Sequence, residues 1–299
     1  MPRRWPRRSM RTAPNIARLL PARDVLAALL LMLIAACGSP SAPPVSMAVG
    51  TVADPESILL ANLYAAALRS YGTPAHVVEV GHPLSDLDAG KVSVVPGFTG
   101  RLLQTFAPGA AARSDEQVYR SMVGVLPEGV AAGDYTTAAQ DKPAAVITGA
   151  TAGVWGSRDL SALVKRCADI RSGMVADTGP PATVGGCALP KPREFPDREA
   201  MFNAVRAGQI DVGWTSTADP DLPDDLVVLT DRKPMLIQAQ NVVPLYRRNE
   251  LSPRQVLAVN EIAGVLDTAA LKQMRRQVAD GADPRAVAEG WLSEHPLGR

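Results

Sequence analysis

The chain is predicted to be an α/β protein. Short apolar runs alternate with segments of helical period along residues 47–299. The helix starts are marked by Asp-Pro, Ser-Pro and Asp-Thr pairs, and the strand–helix–strand spacing near residue 47 calls for parallel pairing with right-handed crossovers.

The elements follow in order. MAVGTV (47–52) reads as a strand. Asp54 is a helix N-cap with Pro55 at the first helical position. Ile58, Leu59, Asn62, Leu63, Ala66 and Ala67 then recur at helical spacing until Gly72 ends the run. AHVVEV (75–80) is a second strand, 83–89 a short helix and 92–95 a third strand. Residues 123–126 and 144–148 read as strands, 160–170 and 198–207 as helices, and 210–214, 226–229 and 242–246 again as strands. Three helices with clear caps close the chain, at Ser252-Pro253, Asp267-Thr268 and Asp283-Pro284. Past residue 46 there is no internal repeat and no low-complexity tract.

The N-terminus reads as an address. Seven arginines lie in the first 23 residues, followed by the uncharged, Leu/Ala-rich stretch 25–36. A basic segment ahead of a short apolar one is the secretory pattern, too short for a comfortable membrane span. The segment Leu33-Ile34-Ala35-Ala36-Cys37-Gly38 is similar to a bacterial lipobox, whose cysteine is lipidated and becomes the new N-terminus. The expectation is a lipoprotein signal peptide at 1–36, a lipidated Cys37, and a Pro/Ser-rich tether at 37–46. The protein would then be held by lipid on the extracytoplasmic face of the cell membrane.

The whole chain carries 31 basic and 30 acidic residues; residues 1–36 hold 7 and 1 of these, leaving 24 against 29, a net charge of −5. With no basic run, nucleic acid is not the expected partner. Two cysteines remain, Cys167 and Cys187. In an oxidising compartment such a pair reads as a disulfide, with two buried free thiols as the other reading. The three histidines, His76, His82 and His295, are scattered, so no metal site is expected.

Ligands of open parallel sheets bind beyond the carboxyl ends of strands. That rule selects three loops: 51–57, with Thr51 and Asp54; 96–100, with Phe98, Thr99 and Gly100; and 214–217, with Trp214, Thr215 and Ser216. Each has a structural alternative: Asp54 as a cap only, Thr99 as the start of the next helix, Trp214 as core. No G-x-S-x-G, H-E-x-x-H, C-x-x-C or P-loop motif is present, and 149–156 (GATAGVWG) looks like a loop without the lysine a phosphate cradle needs. The chain is read as a non-enzyme without cofactor. A catalytic reading would require a paired acid and base such as Asp54 with Asp141.

Six collinear segments carry a family resemblance: VGTVADPESILLANLYAAALRSYG, GKVSVVPGFTG, AAQDKPAAVIT, AGQIDVGWTST with DDLVVLTDRK, NVVPLYR, and LDTAALKQMRRQVADGADPRAVAEGWL. Their order resembles the substrate-binding proteins of osmoprotectant uptake systems, which take glycine betaine, choline or related quaternary amines for ABC transporters. The resemblance implies a two-lobed, type II periplasmic-binding-protein fold with two crossing strands and a ligand cleft between the lobes. Lobe 1 is placed at 47–146 plus 238–299 and lobe 2 at 147–237. It implies a monomer that delivers a small polar solute to an ABC permease and its ATPase. The rival reading on the same fold is an envelope interaction or sensor lipoprotein.

This family holds its ligand in a cage of aromatic faces. Here Phe98 and Gly97 stand for the tyrosine and glutamate of the family's Glu-Tyr-Thr-Gly. Pro143 and Ala239 fall at two further cage positions, and Trp214 keeps an aromatic residue. The expected contact set is Thr51, Asp54, Phe98, Thr99, Gly100, Gln140, Asp141, Trp214, Thr215 and Ser216.

Overall fold

Two five-stranded sheets organise the chain, each covered by helices on both faces. The computed structural model describes residues 46–176, 181 and 183–298. The expected signal peptide, the tether up to residue 45 and Cys37 lie outside the described residues.

The elements of the first lobe are β1 (Met47–Thr51), α1 (Pro55–Ser70), β2 (Ala75–Glu79), α2 (Pro83–Asp88), β3 (Val94–Phe98), α3 (Thr99–Phe106), α4 (Asp115–Val123) and β4 (Val130–Ala132). The chain then enters the second sheet through β5 (Pro143–Thr148), α5 (Gly149–Trp155), α6 (Ser161–Val164), β6 (Ser172–Val175), β7 (Thr183–Val184), β8 (Cys187–Ala188), β9 (Arg193–Phe195), α7 (Arg198–Arg206), β10 (Val212–Ser216) and β11 (Leu226–Val228). It returns with β12 (Val242–Arg247), α8 (Pro253–Val265), α9 (Thr268–Ala279) and α10 (Pro284–Glu294).

The first sheet has the order β2-β1-β3-β12-β4, the second β11-β5-β10-β6-β9. Strand β1 pairs in parallel with β2 and β3, as the spacing requires, and β12 adds antiparallel on β3. Alternation along the strands feeds two cores. Val94 and Val242 face α1, α8, α9 and α10, whereas their neighbours Val95 and Val243 face α2, α3 and α4. The second sheet repeats the device, with Ala145, Ile147, Val212 and Trp214 on one face and Val146 on the other. Burying each of the valine and isoleucine side chains contributes about 1.5–3 kcal/mol.

The crossing segments meet at an antiparallel bridge between Gln140 and Asn241. Asn241 binds the first lobe twice, its N–H donating to Thr99 Oγ1 (3.1 Å) and its Nδ2 to the Thr136 carbonyl (2.7 Å). Thr217, at the end of β10, donates to the Gln140 carbonyl (2.9 Å) and accepts from Lys142 N (3.1 Å). Strand β5 belongs to the second sheet from Pro143 onward, so the strand shift between sheets falls ahead of the 146/147 division read from the sequence.

Most predicted elements are present, and the four capped starts are formed: Asp54, Ser252, Asp267 and Asp283 each accept from the backbone N–H three residues on. Four expectations are corrected. Residues 123–126 are not a strand; α4 occupies 115–123, its acidic first turn and buried Val118 and Met122 giving an amphipathic helix. The helix read at 160–170 shrinks to α6 and a single 3₁₀ turn at Cys167–Asp169, because Cys167 is tied by a disulfide to Cys187. The segment 149–156 is a helix, capped by Thr148 accepting from Thr151 N and ended by Gly156 at φ 66°. Residues 96–98 complete β3 and Thr99-Gly100 open α3, so the loop expected at 96–100 does not exist.

Candidate functional site: the cleft at the crossing strands

A cleft of about 980 Å³ opens where both sheets present strand ends to the crossing segments. Its lobe 1 wall is the start of α1 with Asp54 and Glu56, Arg101 of α3, Gln240, and Arg275 of α9. The opposite wall brings Pro143, Arg198, Thr215, Ser216 and Asp221, with Asp141 at the crossing. Helix α9 also fastens the lobes along one rim: Lys272 Nζ donates to the Leu222 carbonyl (3.3 Å), and Arg276 Nη2 donates to the Pro220 carbonyl.

The floor is a network of two carboxylates and two guanidinium groups. Arg101 donates through Nη1 to Glu56 Oε2 and through Nη2 to Asp141 Oδ2, both at 3.1 Å. Arg275 Nη1 stands 2.8 Å from Glu56 Oε1 and 3.0 Å from Asp141 Oδ1. Those two contacts are ion pairs without hydrogen-bond alignment, which leaves Glu56 Oε1 and Arg275 Nη1 buried with no hydrogen-bond partner. Asp141 is held further by the Ala218 N–H at 3.3 Å. On the far wall Arg198 Nε donates to Asp219 Oδ2 at 2.8 Å.

Burial and the neighbouring Asp141 charge push the Glu56 pKa up from 4.5 to about 7, against the opposing pull of Arg275 and Arg101. Asp141 goes the other way: burial acts to raise it, but Arg275, a hydrogen bond from Ser216, contact with Glu56, and Arg101 together hold it below its ordinary value. One carboxylate is thus fixed as an anion while the other sits near the point of taking up a proton.

Of the residues expected to touch ligand, Asp54, Asp141, Thr215 and Ser216 line the cleft. Asp54 is also the cap, its Oδ1 accepting from Ser57 N at 2.9 Å, and the carboxylate that faces Asp141 is Glu56 rather than Asp54. The other six lie off the cleft wall. Trp214 is 0% exposed and packs in the second-lobe core, on the same face of β10 as Val212. Phe98 is buried in the first-lobe core, with the Arg101 guanidinium 4.4 Å above its ring. Thr51 and Thr99 are buried and bonded to backbone. Gln140 lends its backbone to the crossing. Gly100 lies so close to the Ala239 carbonyl that a Cβ there would meet it at 2.5 Å. Among the described residues that line the cleft there is no Phe, Tyr or Trp.

Glu56, Arg101, Arg198, Gln240 and Arg275 were not among the residues selected from the sequence. Glu56, Arg101, Arg198 and Arg275 sit on helices, where a charged side chain reads as a solvated surface group, and Gln240 sits on the crossing segment ahead of β12. The only sequence signal was Glu56 in the loop 51–57.

Residues 192–294 match the family model of the substrate binding domain of ABC-type glycine betaine transport system. That match bears out the resemblance read from the sequence. It spans β9 to α10 and includes Arg198, Thr215, Ser216, Gln240 and Arg275 of the cleft. A structure described as a glycine betaine/carnitine/choline ABC transporter superposes with a TM-score of 0.68 at 16% identity, covering 84% of this chain and 98% of its own. Apo YehZ from Escherichia coli gives 0.66 at 18% identity, over 86% and 100% of the two chains. An ABC-transporter choline binding protein in complex with choline gives 0.53 at 14%, over 84% and 89%. At these identities the superpositions establish the fold: a two-lobed α/β protein of the type II periplasmic-binding class. A search of curated proteins finds no match.

Proposed function

We propose that the protein is a lipid-anchored, extracytoplasmic solute-binding protein that presents a small polar solute to an ABC permease and its ATPase. The observation that carries this reading is the polar cleft at the crossing segments, in a chain whose residues 192–294 match a transport substrate-binding domain. The cleft volume is that of a small-molecule site. Two lobes joined by paired crossing segments are the architecture of hinge closure, which converts occupancy into a shape that a membrane partner can read.

Glycine betaine-type solutes are the starting class, on the strength of the family match. Cys37 would carry the lipid and residues 38–46 would span from the membrane to β1. The contact residues are Glu56, Arg101, Asp141, Arg198, Ser216 and Arg275, with Thr215 and Gln240 behind them; none is assigned a catalytic role.

The test is a thermal-shift panel of glycine betaine, choline, carnitine, ectoine, sugars and amino acids. A ligand at about a hundred times its dissociation constant adds about 2.7 kcal/mol, a shift of roughly 5–10 °C for a domain of this size. A panel without any shift contradicts solute binding. Separately, Cys37→Ala should move the protein from the membrane to the soluble fraction; retention on the membrane contradicts the anchor.

A further inference from the structure

We propose that the cleft recognises its solute by an acid group, and that this group replaces Glu56 as the partner of Arg101 and Arg275. The inference rests on reading the cleft as a solute site and names the chemistry of the solute.

The cleft's groups divide by sign. Those able to take a cation are already engaged. Glu56 and Asp141 both face Arg101 and Arg275, Asp54 caps α1, Asp219 holds Arg198 with Asp221 3.7 Å from the same guanidinium, and the Phe98 ring is covered by Arg101. A cage for a bare ammonium would need aromatic faces, and none lines the cleft among the described residues. The donors, in contrast, are underused. Arg101 spends two N–H groups on carboxylates and leaves its others on a side chain that is 55% exposed. Arg198 makes its hydrogen bond through Nε and only approaches Asp221 with Nη1, at 3.7 Å. Planar guanidinium groups with spare, convergent donors select carboxylate and phosphate oxygens.

Between the two internal carboxylates, Glu56 is the one that can be displaced. Asp141 is 3% exposed, sits at the crossing, and is tied by the Ala218 N–H as well as by both arginines. Glu56 stands on the first turn of α1, and its Oε1 has no aligned donor. An incoming acid group would take the aligned positions on Arg101 and Arg275 and leave Glu56 facing Asp141 alone. The charged groups that bear on Glu56 are Arg101 from α3, Arg275 from α9, Asp141 from the crossing segment and Asp54 beside it at the head of α1. Losing the two arginines removes the only attractions that hold it ionised. Glu56 therefore takes up a proton from solvent as the acid binds, and net charge in the floor is conserved. Its elevated pKa agrees with that exchange.

The experiment is a calorimetric titration of the purified protein with succinate, glycine betaine and choline at pH 6 and pH 8, in two buffers of different ionisation enthalpy. Choline shares the quaternary ammonium of glycine betaine but has a hydroxyl in place of the carboxylate. Succinate and glycine betaine are expected to bind and choline to bind about tenfold more weakly or worse. At pH 8 proton uptake of up to about one per acid bound should appear, whereas at pH 6, where Glu56 already holds its proton, little uptake should appear; affinity should fall toward about tenfold per pH unit above neutrality. Glu56→Gln should bind the acids more tightly and without the pH dependence, and Arg101→Ala about tenfold more weakly. Choline binding as tightly as glycine betaine, or acid binding at pH 8 without proton uptake, overturns the inference and leaves the solute-binding reading standing. Failure of all three solutes to bind overturns both.

Discussion

Replacing Glu56 by glutamine should stabilise the protein at pH 8 and do little at pH 5. The buried carboxyl titrates at about 7 in the folded chain against an ordinary 4.5. At about 1.4 kcal/mol per pH unit, its ionisation in the fold costs about 3 kcal/mol. The sign follows from the direction of the shift. A pKa raised by folding means that the folded chain holds the proton more tightly, so stability is greatest below pH 4.5 and is lost as pH rises through about 7. Glutamine keeps the shape and never ionises. The expected gain at pH 8 is up to about 3 kcal/mol, or roughly 6–12 °C in Tm for a domain of this length. At pH 5 most of the gain disappears, because wild-type Glu56 is protonated there. Circular-dichroism melts of both proteins at the two pH values are sufficient. A variant that melts lower than wild type at pH 8, or by the same difference at both pH values, would refute the claim that burial beside Asp141 penalises this charge.

Three other substitutions test separate parts of the structure. Asp141→Asn should lose about 2–3 kcal/mol, the low end of the cost of breaking a buried pair because Arg101 is over half exposed, and should bring the Glu56 pKa down; melts across pH 5–8 read both effects, and an unchanged Tm would contradict the network. Gly100→Ala pushes a Cβ to 2.5 Å from the Ala239 carbonyl and should cost about 1–3 kcal/mol; urea unfolding checks it, and a neutral result would mean that α3 and the crossing segment are not in contact. Replacing Cys167 and Cys187 with serine opens a loop with a sequence separation of 20, for a loss of up to about 3 kcal/mol; thiol titration of the denatured, unreduced wild type should find neither cysteine free.

The helix starts were legible because capping is local chemistry. Asp54, Ser252, Asp267 and Asp283 each satisfy a backbone donor within their own turn, so a short window of sequence suffices. The strand–helix alternation carried the sheet class for the same reason. Residues 123–126 misled because Val123 is the last residue of an amphipathic helix that begins at Asp115, and Gly124 to Leu126 form the turn that leaves it. GATAGVWG misled because Gly and Thr lower helix propensity, while the Thr148 cap and the stop at Gly156 supply what propensity lacks.

The site was legible in part. The strand-end rule reached Asp54, Thr215 and Ser216, which depend on where strands stop. It failed for Trp214, whose alternation along β10 turns it into the core. It could not reach Arg101 or Arg275, which lie 174 residues apart in sequence (101 to 275) and become a pair only when α9 returns to the first lobe. A guanidinium on a helix reads as a solvated group until the fold supplies two carboxylates to face it.

The most direct measurement is the affinity of glycine betaine for wild type and for Ser216→Trp, a substitution that fills the cleft from the second-lobe wall. Saturable, one-to-one binding to wild type is expected, and Ser216→Trp should abolish it while its melting transition remains cooperative. Unchanged binding in that variant, or no binding to wild type, would contradict the assignment of the cleft as the solute site.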